Sequence, residues 1–151
     1  MKQIVRTLKD MKEYFIDEEA VKLLLKKNPI IYTVESHKEG LLSVSNTIIN
    51  PGKVGAEYFM TKGHYHENPS GEAYVLIRGE GKIVMQKGKD CCVVKLDKKK
   101  PYLVPAGWAH RTVNTGKGKL EFLNFYPTKA GHDYNKLKKA GGFKKRVTKT
   151  L

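Results

Sequence analysis

Two histidines separated by a single residue stand near the middle of the chain. His64 and His66 lie in residues 61–79, which read TKGHYHENPSGEAYVLIRG. On an extended strand, side chains two residues apart share a face, so both imidazoles are expected to point the same way and Tyr65 to point the other way. Two imidazole nitrogens on one face are suited to binding one metal ion.

A chain reversal is predicted between His66 and Glu72. Residues 68–71, NPSG, are all turn formers, so we predict a hairpin that returns Glu72 to the side of the two histidines. A carboxylate beside two imidazoles suits Fe, Mn, Ni, Co or Zn and leaves coordination positions open for a substrate. The competing carboxylate, Glu67, is adjacent to His66 and is therefore expected to face the opposite side.

A third histidine favours a metal site over a polar strand face. An isolated HxH pair belongs more often to a polar strand face than to a metal site. His110 lies in PAGWAHRTVN on a second predicted strand. We therefore treat it as a candidate ligand together with His64, His66 and Glu72.

Length and composition predict one cytoplasmic domain. A chain of 151 residues and 17.1 kDa is long enough to hold a core. No apolar run approaches the roughly 20 residues that span a bilayer, and the N-terminus lacks the apolar stretch of a secretory signal, so no membrane partner is expected. Cys91 and Cys92 are adjacent, a geometry that disfavours a disulfide between them, and free thiols are predicted.

The net charge of +14 is spread along the sequence. Lysines are scattered, with local density at residues 95–100 and near the C-terminus, and no recognition helix or aromatic-basic RNA signature accompanies them. Nucleic acid is therefore not the expected partner. A positive field also attracts a small dianion such as a sugar phosphate.

The elements that must position these residues begin with a helical segment, predicted over residues 1–29. Thr7 and Asp10 form a capping-box start for a short helix reaching Tyr14. Asp17 caps a second helix, which ends before the Asn28-Pro29 pair. The stripe of Val21, Leu24 and Leu25 on this helix is expected to pack against a sheet.

Residues 30–127 predict a barrel or sandwich of short strands separated by Gly, Pro and Asn. Strands are expected at residues 30–37, 41–49, 57–61, 73–78, 82–87, 91–96, 102–104, 110–114 and 120–126. Several are apolar on both faces, as in residues 73–77, AYVLI. Such strands need cover on both sides, which predicts a homodimer.

Residues 128–151 are expected to form a C-terminal segment, with the last dozen residues a solvated, poorly ordered basic tail. Within this segment, His132, Asp133 and Tyr134 directly follow the last predicted strand. Two readings remain open for them. They form either a lid over a site or a capped loop.

Two motifs together resemble the paired metal-binding motifs of the cupin superfamily: GHYHENPSGEAYVLIRG and VPAGWAHRTVN. The resemblance implies an all-β fold, a single cupin β-barrel (double-stranded β-helix or jelly roll) over residues 1–151 with a short N-terminal helical segment. One departure concerns the first motif. Five residues separate His66 from Glu72, whereas most cupins have three or four.

Three longer segments, PGKVGAEYFMTKGHYH, VPAGWAHRTVN and FYPTKAGHDY, resemble the cupin-type glucose-6-phosphate isomerases found chiefly in archaea. This similarity extends from Val5 to Phe143. It implies a metal-dependent isomerase that interconverts glucose 6-phosphate and fructose 6-phosphate in glycolysis and gluconeogenesis. The implied cofactor is a divalent ion, with Fe²⁺ expected first and Mn²⁺, Ni²⁺, Co²⁺ or Zn²⁺ as alternatives.

The resemblance also implies roles for individual residues. The metal ligands are His64, His66, Glu72 and His110. The sugar phosphate is expected near Thr47, Thr61, Gly63, Tyr126, His132 and Tyr134. Glu72 is the expected catalytic base, with His132 or Tyr126 relaying protons to the sugar oxygens.

Two chemical routes and two other functions stay open at this point. Hydrogen transfer between C1 and C2 proceeds either through a cis-enediol, which needs a base, or through a metal-assisted hydride shift, which does not. The same four ligands also suit a cupin iron dioxygenase. A non-catalytic cupin that binds sugar or metal is the other alternative.

Overall fold

The computed structural model describes residues 1–149 and contains eleven β-strands over that range. In chain order the strands are β1 (Lys2–Thr7), β2 (Ile30–Glu39), β3 (Leu42–Ile49), β4 (Lys53–Val54), β5 (Glu57–Tyr58), β6 (Glu72–Arg78), β7 (Gly81–Lys87), β8 (Asp90–Lys95), β9 (Tyr102–Val104), β10 (Ala109–Asn114) and β11 (Leu120–Pro127). The helices are α1 (Leu8–Met11), continued by a 3₁₀ turn (Lys12–Tyr14), α2 (Glu18–Leu25) and α3 (Tyr134–Lys139).

The strands form antiparallel sheets that enclose one core. A six-stranded sheet has the order β1-β2-β3-β11-β6-β9, a three-stranded sheet has the order β10-β7-β8, and β4 and β5 make a small third sheet. Phe122 and Ile49 of the first sheet are buried in the same core as Ile83 of the second. The all-β prediction is therefore confirmed. No helix in residues 1–149 is long and apolar enough to cross a membrane.

The inner face of the six-stranded sheet is polar along one strand. On β3, Ser43, Ser45 and Thr47 are buried, whereas the alternate Val44 and Ile48 face outward and are half-buried. This arrangement reverses the usual polar-out pattern. A strand that buries hydroxyl groups needs hydrogen-bonding partners for them, which marks this face as the wall of a polar cavity.

The N-terminal segment differs from its prediction. Residues 2–7 form strand β1, which extends the six-stranded sheet by pairing with β2, before the chain enters the two predicted helices. The helix caps follow the predicted chemistry: the Thr7 amide donates to the Asp10 carboxylate over 2.8 Å, and the Ala20 amide donates to Asp17 over 2.9 Å. The segment is thus part of the sheet as well as helical.

The C-terminal segment also differs from its prediction. A helix, α3, follows β11, and Phe143 is 3% exposed in the core. The Tyr58 amide donates to the Val147 carbonyl, and Thr148 bridges Glu57. The prediction of a poorly ordered tail is wrong for residues up to 149, because periodicity could not identify an irregular segment that packs through single apolar anchors. Residues 150 and 151 of the predicted tail lie outside the described part.

A buried ion pair joins this C-terminal segment to the barrel. The Arg146 guanidinium contacts the Glu57 carboxylate at 2.6 and 2.8 Å, and the Ile16 amide donates to the same carboxylate over 2.7 Å. The Glu57 side chain is 7% exposed. Removing one partner of such a pair leaves an uncompensated buried charge.

We therefore expect Arg146→Ala to lower the free energy of unfolding by about 3 kcal/mol. Chemical denaturation monitored by circular dichroism measures this loss. Lys145→Ala is the matched control, since Lys145 is exposed and precedes Arg146 directly. Equal stabilities of the two variants would contradict the assigned role of the pair.

The predicted strands 57–61 and 91–96 are shorter or shifted in the structure. Regular pairing ends at Tyr58, and β8 runs from Asp90 to Lys95. Cys91 and Cys92 on β8 are free thiols, as predicted. These differences leave the barrel unchanged, and the irregular chain after Tyr58 carries His64 and His66.

Candidate metal centre and active-site cavity

Four side chains lie close together in the structure: His64, His66, Glu72 and His110. One ligand-type atom from each lies within 4.8 Å of every other. The Nε2 atoms of His66 and His110 are each 2.9 Å from Oε2 of Glu72. The cluster is largely dehydrated, with the side chains of His66 and His110 only 5% and 2% exposed.

Neighbouring groups hold two of these side chains in orientation. Nδ1 of His66 lies 2.9 Å from the Ser70 carbonyl oxygen. A carbonyl only accepts, so Nδ1 donates and Nε2 of the neutral ring keeps its lone pair for a ligand. The Asn124 amide donates to Oε1 of Glu72 over 2.7 Å, which leaves Oε2 directed at the histidines.

His110 supplies a direct test of whether the cluster fits a metal ion. Its Nε2 is buried without a hydrogen-bond partner among the described residues, although Oε2 of Glu72 is only 2.9 Å away. The two atoms are close together but are not aligned as a hydrogen bond. This geometry is expected when both atoms are directed at the same metal ion. A buried, unpartnered nitrogen is costly, and a divalent cation bound by imidazole and carboxylate ligands removes that cost. The residues present fit a divalent metal ion.

The electrostatics of the cluster favour ligand-competent protonation states of His64 and Glu72. Burial lowers the pKa of His64 well below its ordinary value, and His110 and His132 nearby lower it further. His64 is therefore neutral at physiological pH. Burial alone would raise the pKa of Glu72, but the nearby imidazole of His110 outweighs burial and holds that pKa well below the usual range.

The chain reaches this arrangement without the predicted hairpin. Residues 59–71 are irregular; His64 forms a single bridge to His110, and Tyr65 forms one to Asp133. Glu72 begins β6, where it pairs with Val104 of β9. The hairpin prediction is wrong because the turn formers of residues 68–71 lead the chain from one sheet to the other. Glu67 is exposed, as predicted.

A cavity of about 360 Å³ opens from the cluster along the inner face of the six-stranded sheet. The residues expected around a sugar phosphate all line it: Thr47, Thr61, Gly63, Tyr126, His132 and Tyr134. They come from β3, β11, the irregular segment and the region around α3. The cavity falls in the size range of small-molecule sites.

Tyr126 and His132 line this cavity from β11 and from the segment just before α3, respectively. The Tyr126 hydroxyl lies 2.6 Å from Oγ of Ser45 on the neighbouring β3 strand, and burial raises the pKa of Tyr126. The His132 ring lies 4.3 Å from the His64 ring, centroid to centroid, and the residue is exposed. Asp133 between His132 and Tyr134 caps α3 by accepting from the Lys136 amide.

Gly63 occupies a position that accepts no side chain. Its φ of +75° disfavours other residues, and a Cβ there would lie 2.5 Å from the Phe143 ring. The backbone of residue 63 therefore passes close between the cavity and the C-terminal segment. Glycine is required for both reasons.

Several cavity residues escaped the sequence-based prediction. Asn124 orients Glu72 and stands two residues before Tyr126 on β11, so strand periodicity placed it on the same face and was the signal available. Lys2 and Arg6 line the cavity from β1, a strand that was not predicted. Lys62 also lines it, and burial lowers the pKa of its ammonium group.

Fold and site together define this chain as a cupin with a metal-type centre. Among solved structures, the oxalate decarboxylase of Lactobacillus farciminis superimposes with a TM-score of 0.56 at 16% identity, over 68% of this chain and 30% of that one. An oxalate oxidase gives a TM-score of 0.55 at 14% identity, over 71% of this chain and 56% of that one. At this identity the likeness concerns the fold.

Sequence comparison is more specific. The profile of the glucose-6-phosphate isomerase (GPI) family matches residues 5–150. The glucose-6-phosphate isomerase of Thermococcus kodakarensis is 44% identical over 146 residues, and that of Pyrococcus abyssi is 44% identical over 147. These alignments cover 93% of this chain and 77% and 78% of the respective relatives. The chain belongs to the glucose-6-phosphate isomerase family, and the resemblance noted from its motifs is confirmed.

Proposed function

We propose that this protein interconverts glucose 6-phosphate and fructose 6-phosphate, acting in the cytoplasm in glycolysis and gluconeogenesis. The observation that carries the proposal is the cluster of His64, His66, Glu72 and His110 in the wall of a cavity that is also lined with hydroxyl and backbone donors. Membership of the glucose-6-phosphate isomerase family supports the same substrate pair.

The cavity offers the donors that a sugar phosphate needs. Thr47 and Thr61 present hydroxyl groups, and Gly63 leaves its amide accessible. Tyr126, His132 and Tyr134 add donors toward the sugar hydroxyls or the phosphate. Lys2, Arg6 and Lys62 surround the same space with positive charge, which favours a dianionic ligand.

We assign His64, His66, Glu72 and His110 as the ligands of a divalent ion, with Fe²⁺ as the proposed metal in the cell. When bound, such an ion supplies Lewis acidity toward the oxygens at C1 and C2 of the open-chain sugar. The remaining polar residues orient that sugar. Asn124 keeps the Glu72 carboxylate aimed at the cavity through its hydrogen bond to Oε1.

Proton movement at the sugar is assigned to three residues. Glu72 is the proposed base at the carbon atoms, because it is the carboxylate at the junction of the cluster and the cavity. His132, which lines the cavity, and Tyr126, which is hydrogen-bonded to Ser45, are proposed to exchange protons with the sugar oxygens. Transfer of a label from C2 to solvent during turnover distinguishes this route from a hydride shift, in which the label stays with the sugar.

A coupled assay of fructose 6-phosphate conversion tests the proposed activity. Purified protein is treated with chelator and then supplied with Fe²⁺, Mn²⁺, Ni²⁺, Co²⁺ or Zn²⁺ in turn. We expect the chelated protein to be inactive and at least one ion to restore conversion. Absence of conversion with every ion would refute the isomerase function.

We further propose that the protein is a homodimer joined through the outer face of the six-stranded sheet. On this face Ala73 pairs with Leu103 on one side and with Phe125 on the other, and Val75 pairs with Leu123. Leu103 is 66% exposed. A contiguous apolar sheet face of this kind is a typical protein interface.

The double variant Leu103→Glu/Ile77→Glu is expected to convert the dimer to a monomer, because it places two charges within the apolar face. Analytical ultracentrifugation at micromolar concentration measures the change. Leu23→Glu provides the control, since Leu23 is equally exposed but lies on α2. A monomeric unmodified protein would contradict the proposal.

A further inference from the structure

A second cavity lies behind the irregular segment that carries the histidines. It has a volume of about 500 Å³ and is enclosed by the C-terminal segment, the 3₁₀ turn and β10. Gly63 and Tyr134 belong to its wall and to the wall of the first cavity. The two cavities are therefore adjacent, and none of His64, His66, Glu72 and His110 lines the second one.

The most unusual residue in this second cavity is Arg111. It is 3% exposed, and no carboxylate of residues 1–149 lies within salt-bridge distance of it. An arginine guanidinium carries its charge at neutral pH. A buried charge without a counter-ion is expensive.

Part of the Arg111 side chain has a structural task. Its Nε donates to the Thr61 carbonyl over 3.0 Å and one Nη nitrogen donates to the Lys62 carbonyl over 2.8 Å. The Phe143 ring lies 4.6 Å from the guanidinium carbon. These contacts satisfy backbone groups of the irregular segment. They leave the other Nη nitrogen without a hydrogen bond among the described residues and supply no negative charge.

The other charged groups around this cavity make it positive. Arg146 is neutralised by Glu57, and Glu13 is the one carboxylate in the cavity wall as described. Lys138 of α3 adds a second cation, and Asn135 and the hydroxyl groups of Tyr14 and Tyr134 add neutral donors. Donors thus outnumber acceptors around an uncompensated guanidinium.

We propose that this second cavity binds a small oxyanion, a phosphate group either free or carried by a metabolite, with Arg111 and Lys138 as its charged contacts. The oxyanion supplies the missing counter-charge of Arg111. It binds in the second cavity, whereas the sugar phosphate of the proposed reaction binds in the first. The proposal does not depend on isomerase activity.

Isothermal titration calorimetry of the Zn²⁺-loaded protein with inorganic phosphate tests this site. We expect Lys138→Glu to weaken one phosphate-binding event about tenfold, because the new carboxylate pairs with Arg111 in place of the ligand. Arg111→Met is expected to remove the same event. Lys139→Glu is the matched control: it makes the same charge change on the same helix, outside the cavity.

Two outcomes overturn the proposal: equal weakening by Lys138→Glu and Lys139→Glu, which indicates a general charge effect, or unchanged binding in both cavity variants. If Arg111→Met does not fold, the difference in phosphate binding between Lys138→Glu and Lys139→Glu still tests the proposal. Titration with glycerol phosphate identifies the source of the phosphate group. Tighter binding than inorganic phosphate indicates a phosphorylated metabolite, and equal binding indicates the free ion.

Discussion

The variant His110→Ala is expected to lose bound metal and to retain less than about a thousandth of the isomerase activity. Loss of an outer partner of a metal ligand already costs about 10- to 100-fold in metal affinity, and His110 is one of the proposed ligands themselves. Its Nε2 is the buried atom without a hydrogen-bond partner in the described cluster. Metal content after dialysis, measured by mass spectrometry, and the coupled assay give the two values.

His37→Ala serves as the control for this prediction. His37 lies on β2, half-exposed and 3.3 Å from Glu35, outside the cavity lining. We expect its metal content and turnover to remain within about twofold of the unmodified protein, as for most surface changes away from functional groups. Unaltered metal content and turnover in His110→Ala would contradict the assignment of the metal centre.

Glu72→Gln is expected to lower kcat by about a thousandfold, within the range for loss of a catalytic acid or base. The glutamine oxygen still accepts from Asn124, so the side chain keeps its orientation. Its amide nitrogen then faces Nε2 of His66 and His110, where the carboxylate lay 2.9 Å away. The variant therefore lacks the negative charge next to His66 and His110 but keeps the shape of the side chain at position 72.

Glu67→Gln makes the same chemical change five residues earlier, at an exposed carboxylate next to His66. Its kcat is expected to stay within about twofold of the unmodified value. Metal content measured beside kcat separates the two proposed roles of Glu72. Retained metal with lost turnover supports the role of base, and joint loss supports the role of ligand. A Glu72→Gln enzyme with normal kcat would exclude both.

The residues of the site were recognisable before the fold, and their geometry was not. The HxH spacing placed His64 and His66 on one side and Tyr65 on the other, because alternation follows from extended backbone geometry. The helix caps at Thr7 and Asp17 were likewise local, since each involves a residue three positions away. Interactions between residues only a few positions apart can be predicted from a single sequence.

The elements missed by the sequence-based prediction depend on distant partners. Strand β1 gains its identity by pairing with β2 about 30 residues later. The segment after α3 is held by Phe143 in the core and by the pair of Arg146 with Glu57, which are 89 residues apart. The residue pattern within such segments does not predict contacts between residues that are so far apart in the sequence.

By itself, the sequence determined the residue types of the centre, the all-β class and the family to which the chain belongs, because these are carried by local patterns and motifs. Only the tertiary structure decided that Glu72 reaches the histidines from β6 rather than through a hairpin, with Asn124, 52 residues away, orienting it. It also turned the hydroxyl face of β3 inward and formed a second, positively charged cavity around Arg111. The physical reason is that long-range strand pairing selects which face of each strand is buried.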